Sequence, residues 1–178
     1  TNVILGQEEK TLYGPGFILD KLCGLSFRIS SHSFYQVNST QTEVLYRYAI
    51  QMAQLTGTET VLDAYCGTGT IGLVAAKGLP EAPEAHAAQV IGVDNIESAI
   101  TDAYNNARHN GIENATFETA DAGDFMKKQA KAGNRINVLL MDPPRAGASE
   151  DFLKATCLLA PKRIVYISCN PKTQQRDV

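Results

Sequence analysis

Residues 61–72 read Val-Leu-Asp-Ala-Tyr-Cys-Gly-Thr-Gly-Thr-Ile-Gly, an apolar run that continues through a glycine-rich loop into a helical pattern. Gly67, Gly69 and Gly72 satisfy the spacing GxGxxG, and Asp94 closes the next apolar run. Glycines let the backbone approach a bound ligand, and an acid after the second strand accepts hydrogen bonds from ribose hydroxyls. The stretch therefore predicts a strand–loop–helix unit that binds a nucleotide-like cofactor.

The chain around this unit alternates strand and helix patterns, which predicts an α/β fold. Predicted strands cover 61–62, 90–93, 115–118, 136–141 and 163–167, and predicted helices cover 71–79, 96–110, 122–132 and 149–159. Five strands that alternate with helices are typical of a doubly wound, mainly parallel sheet. We assign this core to residues 57–178.

Residues 1–56 precede the core as an extension of short hairpin strands and one helix. The helix is predicted to start near Ser39 and to end near Leu55, with a capping box formed by Thr40 and Glu43. Its apolar stripe is predicted to consist of Val44, Leu45, Tyr48, Ala49 and Met52.

The composition argues against several classes of protein. No apolar run reaches the roughly 18 residues that a membrane-spanning helix needs, so no membrane partner is expected. The four cysteines form no CxxC pair and have no histidine at ligand spacing, which argues against a zinc site, an iron–sulfur cluster or a disulfide framework. We expect no metal and a reducing, cytoplasmic environment.

The charge is distributed unevenly along the chain. Residues 1–126 carry 6 Lys and Arg against 15 Asp and Glu, a net charge of -9, whereas residues 127–178 carry 10 against 4, a net charge of +6. Such asymmetry favours a polyanion-binding face in the C-terminal part. The alternative is that Lys127, Lys128 and Lys131 merely solvate a helix.

Asp63 discriminates between two kinds of cofactor. A dinucleotide places its pyrophosphate on the helix N-terminus, where a carboxylate just before the loop would repel it. S-adenosyl-L-methionine has no phosphate and carries an ammonium and a sulfonium group, which an acid favours. Asp63 therefore favours S-adenosyl-L-methionine over a nicotinamide cofactor. Asp121 follows the third strand, where the adenine would lie, or caps the next helix instead.

Two strands end in residues that are suited to catalysis. The fourth strand leads into Asp142-Pro143-Pro144-Arg145 and the fifth into Ser168-Cys169-Asn170-Pro171. The carboxyl ends of strands line the ligand crevice of an open α/β sheet, so the thiol and the carboxylate are expected to meet there. The prolines stiffen the turn that holds the Asp142 carboxylate. A thiol beside a buried acid is suited to covalent catalysis.

The thiol and the acid fit methylation of a pyrimidine at carbon 5. That carbon is a poor nucleophile until a thiolate adds to carbon 6, after which the enolate attacks the sulfonium methyl group. A base then removes the proton on carbon 5, and elimination frees the thiol. Cys169 is the predicted nucleophile, and its alternative role is that of a small buried hydrophobe. Cys66 is expected to pack within the loop, and Cys23 and Cys157 to be structural.

Four ordered motifs resemble those of the RNA uracil-C5 methyltransferases, which form 5-methyluridine in tRNA and 23S rRNA. They are Phe34-Tyr-Gln-Val-Asn38, Asp63-Ala-Tyr-Cys-Gly-Thr-Gly-Thr70, Asp142-Pro-Pro-Arg145 and Ser168-Cys-Asn-Pro171, and the opening stretch 1–6 is similar too. The resemblance implies a Rossmann-like fold that binds S-adenosyl-L-methionine. The family's cofactor contacts fall on Gln36, Tyr65, Asp94 and Asp142, and its nucleophile falls on Cys169.

The resemblance implies a uridine substrate that is turned out of folded RNA and lies beside Asp142. Arg145, Lys172 and Arg176 are expected to meet phosphates, although Arg145 alternatively pairs with Glu150. The opening stretch and the lack of cluster cysteines favour 23S rRNA over tRNA as the target.

The chain departs from the family pattern at both ends. Members carry a glutamate general base beyond the fifth strand, most carry an N-terminal RNA-binding β-barrel, and the usual sheet has a sixth and a seventh strand. We expect a fragment of a longer protein that binds the cofactor but turns over poorly or not at all. Its fifth strand is expected to be an exposed edge that can pair with another copy.

Three other functions compete with this one. An NAD(P)-dependent oxidoreductase is favoured only by the GxGxxG spacing and Asp94. A methyltransferase that acts on amino groups of nucleic acid or protein accounts for Asp-Pro-Pro but leaves Cys169 without a role. A non-enzymatic RNA-binding module accounts for the C-terminal charge and leaves the pairing of Asp142 with Cys169 unexplained.

Overall fold

A five-stranded parallel sheet forms the centre of the computed structural model, which describes residues 10–31 and 34–178, so the opening stretch 1–6 lies outside the described residues. In chain order the elements are β1 (Phe17–Leu22), β2 (Leu25–Ser30), α1 (Ser39–Ala53), β3 (Thr60–Ala64), α2 (Thr70–Lys77), β4 (Gln89–Asp94), α3 (Glu97–His109), β5 (Ala115–Thr119), α4 (Ala122–Lys131), β6 (Val138–Met141), α5 (Glu150–Leu159), β7 (Arg163–Tyr166) and α6 (Pro171–Asp177). All five predicted core strands are present and run parallel, which confirms the α/β fold. Among the described residues, no helix combines the length and the apolar character that crossing a bilayer requires.

The strand order β5-β4-β3-β6-β7 creates a crevice next to the central strand. β3 is hydrogen-bonded to β4 on one side and to β6 on the other. The connections that leave β3 and β6 therefore diverge at the carboxyl ends of these two strands. Open α/β sheets bind their ligands at such a switch point.

The pleat of the central strands divides the core into two layers. Val61 and Val138 belong to the layer that contains residues of α1, α2 and α3. Leu62 and Leu139 belong to the opposite layer, with residues of α4 and α5. Because successive side chains point to opposite faces, these strands are apolar on both sides, as a covered parallel sheet requires.

The hairpin of β1 and β2 is attached to α3 by two asparagines. The Asn110 side chain accepts a hydrogen bond from the Ser26 amide at 2.9 Å and donates one to the Ser26 carbonyl at 2.8 Å. Asn106 does the same with Arg28, at 2.7 and 3.3 Å, and also donates to the Thr68 carbonyl in the glycine-rich loop at 3.2 Å. Ser26 and Arg28 are two residues apart, which spans about 6.6 Å along a strand, and Asn106 and Asn110 are four residues apart, which spans about 6 Å along a helix. The two asparagines are therefore spaced to reach the two strand residues.

The predicted capping box of α1 is wrong. Asn38 is the N-cap, and its side chain accepts a hydrogen bond from the Gln41 amide at 3.2 Å. Glu43 accepts instead from the amide of Cys23, at 2.8 Å, because the β1–β2 turn packs beside the helix. A tertiary contact thus takes the carboxylate that the local pattern assigned to the cap.

The predicted apolar stripe of α1 lies mostly on the wrong face. The buried apolar residues are Tyr46, Ala49, Ile50 and Ala53, and of the predicted stripe Ala49 alone is buried. Both faces of the helix carry apolar side chains, so helical periodicity does not select the face that contacts the sheet.

β7 is an edge strand within the described part of the chain, as predicted. It pairs with β6, and its Ile164 side chain faces outward. The Arg163 guanidinium ties β7 to the end of α1, because it donates to the Ala53 carbonyl at 2.8 Å and to Gln54 Oε1 at 2.7 Å. Pairing of this edge with another copy stays a prediction.

Replacing Asn106 by alanine is expected to lower the free energy of unfolding by about 3 kcal/mol, because buried backbone groups of Arg28 and Thr68 lose their partners. The control is Asn105→Ala, a neighbouring asparagine of α3, with an expected change within about 0.5 kcal/mol. Urea unfolding measures both values, and equal losses for the two variants would contradict the role of Asn106.

Candidate active site at the carboxyl ends of the strands

The glycine-rich loop curls over the buried side chain of Asp63 at the end of β3. Asp63 is 1% exposed, and its Oδ2 accepts a hydrogen bond from the Gly72 amide at 2.9 Å. A Cβ atom at Gly72 would lie 2.6 Å from that oxygen, so only glycine fits there. Gly69 is the N-cap of α2, and a Cβ atom at Gly67 would meet nothing within 4 Å. The backbone at Gly67 thus faces space from which a ligand can approach it.

Burial of Asp63 keeps its carboxyl protonated over most of the acidic range. Desolvation raises the pKa of this carboxyl to about 8, and the charges of Asp142 and Asp94 act in the same direction. The hydrogen bond from Gly72 lowers the pKa but does not offset the loss of water. A cation placed above the loop would favour the ionised form of Asp63.

Asp94 links the end of β4 to the loop that follows β3. Its Oδ2 accepts a hydrogen bond from the Gly67 amide at 3.0 Å, and its Oδ1 accepts from the Ile96 amide at 3.0 Å. The carboxylate is half-buried, so it retains access to a ligand above the loop. The contact of Asp94 with ribose hydroxyls stays a prediction.

Tyr65 opens the loop in an unusual backbone conformation. Its φ of 62° lies in the left-handed region, which costs free energy for a residue with a Cβ atom. Its ring packs on Phe152 with centroids 5.1 Å apart. Asp121, the other predicted residue on this side, is exposed and caps α4 by accepting from the Asp124 amide at 3.0 Å. The capping alternative for Asp121 is therefore realised.

A cavity of about 410 Å³ brings together Gln36, Asp142 and Cys169, three predicted site residues from distant parts of the chain. Its remaining walls include apolar side chains of α1 and of the β7 segment, namely Leu45, Ala49, Met52, Val165 and Ile167. Burial raises the pKa of the Asp142 carboxyl to about 6. The cavity thus combines a thiol, a poorly solvated acid and apolar walls that can receive a flat ring.

The four cysteines differ in exposure. Cys169 is exposed in the turn that follows β7, whereas Cys66 and Cys23 are buried, as expected for packing residues. Cys157 is exposed on α5, so the prediction that it is structural is wrong. Its position within a predicted helix gave no indication of which face would contact the sheet.

The three predicted phosphate contacts have different surroundings. Arg145 and Lys172 are exposed, and the Glu150 partner proposed for Arg145 pairs instead with Lys154 at 2.7 Å. The Arg176 guanidinium is engaged within the chain, because it donates to Asp177 Oδ1 at 2.6 Å and to the Ala146 carbonyl at 3.0 Å.

The predicted basic face is divided between the two ends of the sheet. Arg135 and Lys162 precede β6 and β7, so they lie at the amino ends of these neighbouring strands. Lys172 follows β7 and lies at the carboxyl end, with the cavity. Since the strands are parallel, the two groups of cations cannot form one continuous patch around Cys169.

Sequence reasoning missed a buried tyrosine between the loop and the cavity. The hydroxyl of Tyr46 lies 2.7 Å from Thr70 Oγ1 at the start of α2. Burial raises the pKa of Tyr46, and the charges of Asp63 and Asp142 add to the shift. An aromatic residue on a helix does not indicate by itself that its hydroxyl will bond to Thr70. That contact depends on the packing of α1 against α2.

The arrangement of acids suits a cationic ligand. Asp94, Asp63 and Asp142 stand at or next to the carboxyl ends of three adjacent strands, β4, β3 and β6. The sulfonium and ammonium groups of S-adenosyl-L-methionine fit these acceptor oxygens better than a pyrophosphate does, and a cation there would favour the ionised form of Asp63. No cluster of three or more His, Cys, Asp or Glu that could hold a metal ion occurs in residues 10–31 and 34–178.

Comparisons with known proteins identify the family of the chain. Residues 55–176 match the family described as "Methyltransferase domain". An uncharacterised RNA methyltransferase of Staphylococcus aureus (strain MRSA252) is 50% identical over 177 residues, which cover 99% of this chain and 37% of that protein. One from Lactiplantibacillus plantarum is 51% identical over 178 residues, covering 100% of this chain and 37% of that protein. The chain thus spans less than two fifths of these relatives.

Solved structures confirm the Rossmann-like fold of S-adenosylmethionine-dependent methyltransferases. The Pyrococcus abyssi tRNA (uracil-54, C5)-methyltransferase, in complex with S-adenosyl-L-homocysteine, aligns with a TM-score of 0.74 at 32% identity, covering 93% of this chain and 38% of that one. A methyltransferase from Agrobacterium tumefaciens aligns with a TM-score of 0.70 at 22% identity, covering 94% of this chain and 58% of that one, which shows the fold alone.

The free energy of unfolding is expected to fall as the pH rises from about 4 to about 8. The pKa of Asp63 is raised from an ordinary value of 3.8 to about 8, so the folded protein binds the proton more tightly than the unfolded chain. The resulting stabilisation is complete in acid and is lost as the pH passes through the folded-state pKa. Asp63→Asn retains an acceptor for the Gly72 amide and removes the titration, so its unfolding free energy depends less steeply on pH.

Urea unfolding at a series of pH values between about 5 and 8.5 tests this difference. Asp151→Asn, a change of an exposed acid at the start of α5, is the matched control and should keep the wild-type slope. Identical slopes for wild type and Asp63→Asn would refute the assignment.

Proposed function

Because the chain belongs to the methyltransferase-domain family, we propose that it binds S-adenosyl-L-methionine and serves an RNA methyltransferase that forms 5-methyluridine. The observation that carries the proposal is the shared cavity of Cys169, Asp142 and Gln36 beside the switch point of the sheet. The RNA methyltransferases among the relatives and the structural similarity to a tRNA uracil-C5 enzyme support it.

The residues around the loop would hold the cofactor. S-adenosyl-L-methionine supplies an electrophilic methyl group on a sulfonium. Asp94 would accept hydrogen bonds from the ribose hydroxyls, and the open backbone at Gly67 would lie against the ligand. Tyr65 would frame the adenine side, and Gln36 and Asp142 the side that faces the thiol.

Cys169 would start the reaction from the rim of the cavity. Its thiolate adds to carbon 6 of the uracil, forming a carbon–sulfur bond and moving the electron pair of the ring double bond into an enolate. Carbon 5 would then take the methyl group that S-adenosyl-L-methionine supplies, with the electrons of the broken methyl–sulfur bond left on the sulfur of S-adenosyl-L-homocysteine. A general base removes the proton from carbon 5, and the returning electron pair expels the thiolate from carbon 6.

Asp142 is suited to stabilise the enolate. With a pKa raised to about 6, its carboxyl holds a proton in half of the molecules near that pH. A protonated carboxyl donates a hydrogen bond to a carbonyl oxygen on which negative charge develops, as happens in other buried acid sites. Ionised Asp142 would instead repel the enolate, and burial raises the share of the protonated form above that of an exposed aspartate.

We propose 23S rRNA as the RNA that carries the uridine. The support is the resemblance of the opening stretch 1–6 to the 23S rRNA enzymes, and tRNA is the alternative outcome of the test. A uridine in folded RNA must leave its stack to reach the cavity, and Arg145 and Lys172 are exposed where phosphates can approach.

The covalent step is tested by trapping the full-length protein on RNA that contains 5-fluorouridine. A base can remove a proton from carbon 5 but cannot remove a fluorine atom in the same way. The cycle should therefore stop at a protein–RNA adduct in the presence of S-adenosyl-L-methionine. Cys169→Ala should abolish the adduct, which gel electrophoresis detects. Sequencing of the trapped nucleotide identifies the target as 23S rRNA or tRNA.

Cys157→Ser is the control for the trapping experiment, because it changes another exposed cysteine and should trap like wild type. Retained methylation by Cys169→Ser would refute methylation at carbon 5 and favour methylation of an amino group.

The cofactor assignment is tested by calorimetry with S-adenosyl-L-homocysteine and with NADH. We expect binding of S-adenosyl-L-homocysteine alone and a loss of about 10- to 100-fold in affinity for Asp94→Ala, since a charge-assisted hydrogen bond contributes about 1.5–3 kcal/mol. Asp151→Ala, which changes an exposed acid of α5, should bind S-adenosyl-L-homocysteine like wild type. Binding of NADH with the dependence on Asp94 would favour an oxidoreductase.

A further inference from the structure

The short helix α6 binds the loop that follows Asp142. Four side chains of the segment after Cys169 contact the backbone of this loop or each other, and we call them the α6 clasp: Asn170, Thr173, Arg176 and Asp177. Their targets are the backbone groups of residues 145–148. The clasp therefore joins the segment of the thiol to the segment of the acid.

Asp177 is the centre of the clasp. Its side chain is 0% exposed, and its Oδ2 accepts hydrogen bonds from the Ala148 amide at 2.8 Å and from the Tyr166 hydroxyl at 2.7 Å. Its Oδ1 accepts from Arg176 Nε at 2.8 Å and from Nη2 at 2.6 Å. These donors hold the pKa of Asp177 below its usual range, so the carboxylate is ionised at neutral pH.

Arg176 extends the same contact to the loop carbonyls. Its Nη2 donates to the Ala146 carbonyl at 3.0 Å and to the Ala148 carbonyl at 3.3 Å. Longer contacts from Asn170 and Thr173 reach the Arg145 carbonyl at 3.5 and 3.4 Å. These contacts use Nε and Nη2 of the guanidinium, and the side chain is 58% exposed.

Gly147 lets the loop approach the clasp. Its φ is +82°, and a Cβ atom there would lie 2.5 Å from Asp177 Oδ2 and 2.6 Å from Arg176 Nη2. The loop and the helix thus meet with backbone against side chain, which leaves no room for even one methyl group. Contact this close transmits a displacement of either partner to the other.

The sheet alone does not hold the thiol and the acid together. The last backbone hydrogen bond between their segments is the one from the Ile167 amide to the Met141 carbonyl, at 2.9 Å. Cys169 follows this bond in the turn after the edge strand β7, and residues 145–148 lie in the loop between β6 and α5. The clasp is the next connection between the two segments.

We infer that the α6 clasp sets the distance between the Cys169 thiol and the Asp142 carboxyl. Arg176 and Asp177 act as positioning residues in this arrangement. The inference rests on the proposed covalent role of Cys169. It reassigns Arg176 from the RNA-binding surface to the internal support of the active site.

The test uses the full-length protein with Arg176→Met, Asp177→Asn and both changes together. The readout is the rate of adduct formation with 5-fluorouridine RNA at saturating RNA and cofactor. Misplacement of a reacting group by about 1 Å costs on the order of 100-fold in rate, so each single variant should lose roughly that factor. The double variant should lose no more than the worse single variant, because the two residues act as one unit. Tyr166→Phe removes one donor and should lose less.

Gln175→Met is the matched control, since Gln175 lies on the same helix and is exposed. The affinity for S-adenosyl-L-homocysteine and the salt dependence of RNA binding should stay at wild-type values in every variant. If Arg176→Met instead weakens RNA binding, reduces the salt slope by about one and leaves the saturated rate intact, the residue contacts a phosphate and the inference is wrong.

Hydrogen exchange separates failure of the clasp from failure of the proposed chemistry. The Ala148 amide should exchange about 10-fold faster in Asp177→Asn, while amides of β6 keep their protection, whatever reaction the protein catalyses. Unchanged exchange at Ala148 would refute the clasp. Absence of any adduct in wild type, with accelerated exchange in the variant, would refute the uracil chemistry and leave the clasp in place.

Discussion

The buried carboxyl of Asp63 accepts a hydrogen bond from the amide of Gly72 at 2.9 Å at the end of the central strand. This contact constrains the conformation of the loop between the two residues. A side chain at Gly72 would displace the carboxyl, and removal of the carboxyl would leave a buried amide without a partner. The start of α2 is fixed by this contact, and the Tyr46 hydroxyl, bonded to Thr70, then fixes α1 beside it. The wall that α1 contributes to the cavity therefore depends on Asp63, which lies outside the cavity.

The parallel sheet converts short local motifs into one site. Each candidate residue stands at or just after the carboxyl end of a strand, so adjacency of strands becomes adjacency of functional groups. Asp94, Asp63 and Asp142 stand at or next to the ends of three adjacent strands, and Cys169 follows the next strand. Burial then assigns different proton affinities to similar acids: the pKa of Asp63 rises to about 8 and that of Asp142 to about 6, whereas that of Asp177 is lowered by its donors.

The errors of the sequence-based predictions share a cause. The capping box at Glu43, the exposed stripe of α1 and the exposure of Cys157 all concern which neighbour a surface of a helix meets. A periodic pattern describes one helix and contains no information about the element packed against it when both faces carry apolar residues. The internal partners of Arg176 have the same origin, because its bonds to Asp177 and to the Ala146 carbonyl depend on how α6 packs and no local pattern announces them.

The sequence by itself determined the alternation of strands and helices, the glycine-rich loop over Asp63, and the positions of Asp142 and Cys169 at strand ends, because these depend on period, turn chemistry and chain order. Only the tertiary structure decided that the thiol and the acid share a cavity with Gln36, that Asp63 is sealed from water, and that Arg176 and Asp177 hold the loop beside Cys169. These features join residues far apart in the chain or separated by a bent loop, and their free energies depend on burial and on partners that no local pattern specifies.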